Sequence, residues 1–253
     1  MRFFVRTGLA AGVVVVVLAL ASLSWIEYSA RSSCASVGGP AASLQIAHDE
    51  GSTALVDEIV PEYQIGEKHS VSIEAPPARV FDSLTRARFD EQSVIKLFDL
   101  LPVVAGKQDA SSLSEDEKPL YETLRETSGL VLEKPNKEFV TGNIATVDEH
   151  VPSTPNTVRG FVAYRLRHNE IKLPVSFRVD PEAGGSRLTT ETRIVFADRN
   201  LCHDYSWYWG IIYPGSSLLR IDFLEAVKRR AEAALSPDAQ GKHPKTALDG
   251  GMA

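Results

Sequence analysis

The chain predicts an α+β domain in which a curved antiparallel sheet wraps a long C-terminal helix, preceded by one N-terminal transmembrane helix. Three observations predict it. No ionisable residue occurs between Gly8 and Ile26. Five short strand-like runs, separated by turn residues, succeed one another from Gly129 to Phe196, the pattern of an antiparallel meander with one apolar side. Apolar residues then recur at helical spacing at Leu224, Val227, Ala231 and Leu235, as on a helix with one buried face.

The N-terminal run follows Arg2 and Arg6 and is centred on Val13, Val14, Val15, Val16, Val17 and Leu18. At a helical rise it spans about 28 Å, near the hydrocarbon thickness of a bilayer. Trp25 and Tyr28 follow where aromatic rings favour the membrane–water boundary. The basic flank keeps the N-terminus cytoplasmic and sends the remainder across the membrane. A secretory signal cleaved after Ala21 is the competing reading, because Ala19-Leu20-Ala21 resembles a small-residue cleavage site. Lipidation of Cys34 is disfavoured by Arg31, which stands where a lipoprotein site needs an apolar residue. Residues 1–30 are thus expected to be anchor or signal, 31–60 a flexible linker rich in Ser, Ala and Gly, 61–235 the folded domain, and 236–253 a disordered tail.

Within the domain, Tyr63 to Ile73 alternates, placing Tyr63, Ile65, His69, Val71 and Ile73 on one strand face. Pro76-Pro77 stops the strand, and Pro77 suits the first turn of a helix carrying Val80, Phe81 and Leu84. Val94, Ile95, Phe98 and Leu101 suggest a second helix, and Ser114 with Glu117 a capping box for a third that ends at Arg125. Leu44 to His48 fits a single helical turn. The five runs are 129–134, 138–147, 158–167, 171–179 and 187–196. In the fourth, Ile171, Leu173, Val175, Phe177 and Val179 face one way, with Lys172, Ser176 and Arg178 opposite. Glu191 and Arg193 alternate with Leu188, Thr190, Thr192 and Ile194 as outward charges would, and Arg178 could pair with Glu191 across the hairpin. Asn200 to Tyr213 reads as a helix broken by Pro214-Gly215, with Ser216 or Ser217 capping the next.

A formal charge of −6 argues against a nucleic-acid partner. Six scattered histidines and two distant cysteines form no zinc pattern, and no phosphate loop, nucleophile elbow or dinucleotide fingerprint occurs. No cofactor is expected. Cys34 and Cys202 are either a disulfide or two separate thiols. Tyr205, Trp207, Tyr208, Trp209 and Tyr213 form an aromatic cluster that suits core packing, a gate, or a patch touching the bilayer.

A curved sheet and a straight helix cannot touch along their whole length, so an apolar hollow is expected between them. The stretch from His69 through Ala75-Pro76-Pro77 to Val80-Phe81 resembles the opening of the helix-grip, START-like (SRPBCC) superfamily, which includes lipid-transfer domains and polyketide cyclases. Phe177 to Pro181 with Gly184 to Ile194 is similar to its last hairpin, and Tyr208 to Arg220 with Arg229 to Glu232 to the closing helix of a bacterial branch; the resemblance covers about Glu62 to Ala234. It implies a cavity holding an apolar small molecule or lipid, lined here by Tyr63, Val71, Phe81, Phe98, Tyr164, Val175, Phe177, Ile194, Leu224 and Val227. No family catalytic motif transfers; His69 and Glu67 are the least unsuited acid–base groups. The expectation is therefore a membrane-tethered, extracytoplasmic binder of an apolar molecule. A cyclase or dehydratase on the same scaffold and an envelope interaction module are the alternatives, and the sequence names no protein partner.

Overall fold

In the computed structural model the described residues are 34, 45–46, 54–88, 118–146 and 154–233. The elements are β1 (Gln45–Ile46), α1 (Leu55–Ile59), β2 (Glu62–Tyr63), β3 (Ile65–Ile73), α2 (Pro77–Arg86), α3 (Leu120–Thr127), β4 (Leu130–Lys134), β5 (Glu138–Thr146), α4 (Val158–Ala163), β6 (Glu170–Glu182), β7 (Gly185–Phe196) and α5 (Arg199–Ala233). Five strands form an antiparallel sheet in the order β3-β7-β6-β5-β4, and β1 pairs with β2 separately. The α+β class with a five-stranded antiparallel sheet and a long C-terminal helix stands, and it is consistent with a helix-grip arrangement. The predicted membrane segment, the helix around Phe98, the Ser114 cap and the C-terminal tail lie outside the described residues.

The helix-side face of the sheet carries the main core. Ile73, Phe139, Phe177, Val179 and Leu188 pack against Val80, Phe81 and Leu84 of α2 and against Phe223, Leu224 and Val227 of α5. Phe177 meets Phe223 edge-on at 5.7 Å between ring centroids. The predicted alternation of β6 therefore holds, with Phe177 and Val179 inward. A second cluster closes one end, where Ile65, Ile171, Ile194 and Phe196 meet Leu201 and Cys202. Gly184 turns the β6–β7 hairpin with φ of 85°, a conformation glycine adopts without strain.

Several expectations are corrected. The sheet's other face was expected to meet water, but α1 and α4 cover it: Leu55, Ile59 and Val60 pack with Val140, Ile144 and Phe161. The folded domain thus takes in residues assigned to the linker, and Cys34 in the same stretch is bonded to Cys202. Residues 158–163 are helical rather than extended, because Thr157 accepts a hydrogen bond from the Gly160 amide at 3.1 Å as an N-cap. Phe161 of that helix fits only because Gly142 lacks a side chain; a Cβ there would lie 2.9 Å from the ring. Gln45–Ile46 is strand, not a helical turn, since its backbone pairs with Glu62–Tyr63. The third helix starts behind Pro119 and runs to Thr127. Pro214 does not break the terminal helix, which continues for 35 residues through it.

Candidate functional site

β3 lies at the sheet edge beneath α5, and residues 65, 67, 69, 71 and 73 share its inward face. Four of those positions were expected there, and the fifth brings a carboxylate. Glu67 has a side chain with 0% exposure and accepts from four donors. His69 Nε2 lies 2.8 Å from Oε1. The Ser217 hydroxyl donates to the same oxygen at 2.8 Å, and the Ser216 hydroxyl to Oε2 at 3.1 Å. Arg220 Nε approaches Oε2 at 3.1 Å. The two serines were expected to cap a helix; instead α5 runs on and aims their hydroxyls at β3.

This saturation decides what each group can do. A carboxylate offers about four lone-pair positions, and all are taken, so Glu67 is a positioning residue with no position left for a reacting proton. Its contact with Nε2 leaves Nδ1 of His69 as the ring nitrogen free to accept or donate, the usual division of labour in a carboxylate–imidazole pair. Burial lowers the pKa of the Arg220 guanidinium, and the Glu67 carboxylate opposes that shift.

Across the ladder, Glu67 faces Thr192 and His69 faces Thr190. Both threonines are buried, at 2% and 1% exposure, and neither side-chain oxygen has a hydrogen-bond partner. The next strand contributes Val175 opposite Thr192 and Phe177 opposite Thr190, and β5 follows with Thr141 and Phe139. One polar corner thus opens onto an apolar wall. Beside that wall Leu84, Leu120, Tyr121, Phe139, Phe177 and Phe223 line a crevice too narrow to admit even a water molecule. The hollow expected between sheet and helix is therefore closed there by side chains, where a drug-sized ligand needs roughly 300–1,000 Å³.

The expected ligand-binding residues divide accordingly. Phe81, Phe177, Leu224 and Val227 belong to one cluster, with Val71 and Val175 packed against it, and their contacts to one another make them core as much as lining. Ile194 sits in the end cluster. Tyr63 and Tyr164 lie on the reverse face and cannot line the interior. Tyr63 leaves β3's face because Gln64 interrupts the strand, its amide donating to the Ile194 carbonyl and its side chain accepting from Phe196 N. Phe98 is outside the described residues. Alternation missed Ser216, Ser217 and Arg220, because Pro214-Gly215 hid the continuity of the helix that carries them.

The reverse face holds the other charges. Arg193, 2% exposed, donates to Glu191 (2.6 Å), Asp57 (2.6 Å) and the Val60 carbonyl (2.6 Å), and lies over the Tyr63 ring. Arg178 pairs with Asp180 and not with Glu191. These contacts fasten α1 to the sheet. Among the described residues, no group of three or more His, Cys, Asp or Glu side chains could hold a metal.

No family model and no curated protein matches the chain. Among solved structures it is similar to the Zhui aromatase/cyclase from Streptomyces sp. R1128, at 14% identity and a TM-score of 0.28, over 69% of this chain and 97% of that one. It is also similar to the protein TTHA0849 from Thermus thermophilus, at 11% identity and a TM-score of 0.24, over 68% of this chain and 100% of that one. At these values neither likeness bears on function.

Proposed function

We propose that this chain is a membrane-tethered, extracytoplasmic binder of an amphipathic small molecule, a lipid among the candidates, held between the sheet and α5 and not transformed there. The observation that carries the reading is the pair of buried, unpartnered hydroxyls of Thr190 and Thr192 beside His69 on an otherwise apolar wall. An orphaned buried hydroxyl costs about 1–3 kcal/mol, and a ligand's polar end meeting these groups would offset that. Its apolar body would lie over Val175 and Phe177 toward the crevice near Phe139, parting the side chains that meet there and gaining about 25 cal/mol per Å² removed from water. The Cys34–Cys202 disulfide supports an oxidising compartment. Carrier rather than catalyst is favoured because Glu67 has no free acceptor position.

Native mass spectrometry of the full chain in mild detergent, with extraction of whatever it holds, tests this. A bound molecule is expected in the parent and a several-fold lower occupancy in Thr190→Val/Thr192→Val. No bound molecule, or equal occupancy in the variant, would overturn the reading. The acid–base alternative rests on the 2.8 Å Glu67–His69 contact. It predicts a chemically altered ligand in the parent and an unaltered one in His69→Gln.

A further inference from the structure

The outward side of α5 changes character along its length. At about 100° per residue, Trp207, Ile211, Pro214, Leu218 and Ile221 fall within an arc of about 80°, on the side opposite Arg220, Leu224 and Val227. Ile211 is 69% exposed, Leu218 52% and Ile221 44%, with Tyr208 at the flank 55% exposed. Beyond Ile221 the same stripe continues as Glu225, Lys228, Arg229 and Glu232, and before Trp207 it holds Asn200 and Asp204. From Tyr205 to Leu219 the helix contains no Asp, Glu, Lys, Arg or His. The outer side of a surface helix is ordinarily polar, so a bounded apolar stripe marks a contact. It does not mark a span, because the opposite side packs on the sheet. Among the described residues no helix is long and apolar enough to cross a membrane.

The disulfide identifies what the stripe meets. Cys34 is joined to Cys202 in the first turn of α5. Ile26, the end of the uncharged N-terminal run, is eight residues before Cys34, a reach of at most about 29 Å. From Cys202 to Ile221 the helix rises about 28 Å. The whole stripe therefore lies within about 28 Å of Cys202, which the tether itself keeps within about 29 Å of the point where the chain would leave the bilayer.

We infer that the Trp207–Ile221 stripe of α5 rests on the phospholipid surface, clamped there through Cys34–Cys202; the inference rests on the tethered reading above. Tryptophan and tyrosine suit that boundary, and a helix lying in the interface plane buries one apolar side. The tether supplies a high effective concentration, so modest apolar area suffices. Nothing in the uncharged stretch requires anionic lipid. The inward side of the same turns carries Ser216, Ser217 and Arg220, which puts the Glu67 corner about one helix diameter, roughly 10 Å, from lipid.

The test uses the full chain carrying Trp25→Phe, which leaves Trp207 and Trp209 as its tryptophans. It is reconstituted in phosphatidylcholine vesicles with plain or brominated acyl chains. Co-flotation and, in brominated vesicles, loss of the Trp207 share of the fluorescence are expected, while Trp209, packed against the end cluster, stays unquenched. Ile211→Asp/Leu218→Asp should float equally and lose the quenching, and Cys34→Ser/Cys202→Ser should weaken it. A chain that floats with the same fluorescence in plain and brominated vesicles overturns this inference alone. So does quenching that survives Ile211→Asp/Leu218→Asp, or a dimer that this pair of substitutions dissolves. A chain that does not float overturns the tether as well.

Discussion

At the scale of single residues, the reverse face of the sheet turns on two buried charges whose partners come from α1. Arg193 satisfies the last carbonyls of that helix and Asp57, while Glu138 Oε2 accepts from the Leu55 amide at 2.9 Å at its start. Removing one partner of a buried ion pair is expensive, about 3–5 kcal/mol. Arg193→Leu should therefore lower the urea unfolding free energy by that order, whereas Arg178→Leu, whose Asp180 pair is half-exposed, should lose about 1 kcal/mol or less. Glu138 has the opposite sign. Burial is the chief influence and raises its pKa above the ordinary 4.5, against the Leu55 amide and Arg178. A raised carboxylate contributes stability that is complete below the unfolded value and is lost as pH rises through the folded one. Glu138→Gln should flatten that decline in a pH series of denaturant melts; an unchanged slope would refute the assignment. Period-two alternation placed Arg193 and Glu191 on the correct face but read it as wet. The cover comes from Leu55–Ile59, more than 130 residues upstream of Arg193, and no local pattern announces it.

At the scale of elements, the strands were legible because β3, β4, β5, β6 and β7 each alternate or end at turn residues, and the register of β6 followed from its apolar face. The terminal helix was legible in both halves, Asn200 to Tyr213 and the run through Leu224, but not as one rod. Proline removes a backbone donor and its ring presses on the carbonyl four residues back, so Pro214-Gly215 reads as a break. In the molecule both flanking halves are anchored, one through Leu201, Cys202 and Trp209 and the other through Phe223, Leu224 and Val227, and packing outweighs the local penalty. Pro214→Ala should then raise stability by about 1–3 kcal/mol, because Pro214 is exposed and alanine restores the donor toward Gly210. A fall instead would mean that proline holds Ser216 and Ser217 in register with Glu67. The short helix α4 escaped detection for another reason: six residues rich in valine and phenylalanine look like strand until Thr157 is recognised as a cap.

At the scale of the whole molecule, the disulfide ties together parts that packing alone would leave independent. Cys34 and Cys202 are 168 residues apart, and between them lie all five strands of the main sheet. Closing so long a loop removes conformational freedom from the unfolded chain, worth about 2–4 kcal/mol in typical cases. Both sulfurs are buried in the end cluster with Ile65, Ile171, Ile194 and Phe196. Cys34→Ser/Cys202→Ser should therefore unfold at lower denaturant by an amount equivalent to about 2–4 kcal/mol, and dithiothreitol should bring the parent to the same midpoint. The loss should be global, since α5 carries the bond, the main core and the Glu67 contacts on one rod. Hydrogen exchange should accordingly quicken in β3 and β7 as well as near Cys202. If protection fell only around residues 199–209, the helix would be acting as two independent halves, and the terminal rod would not be the organising element of the fold.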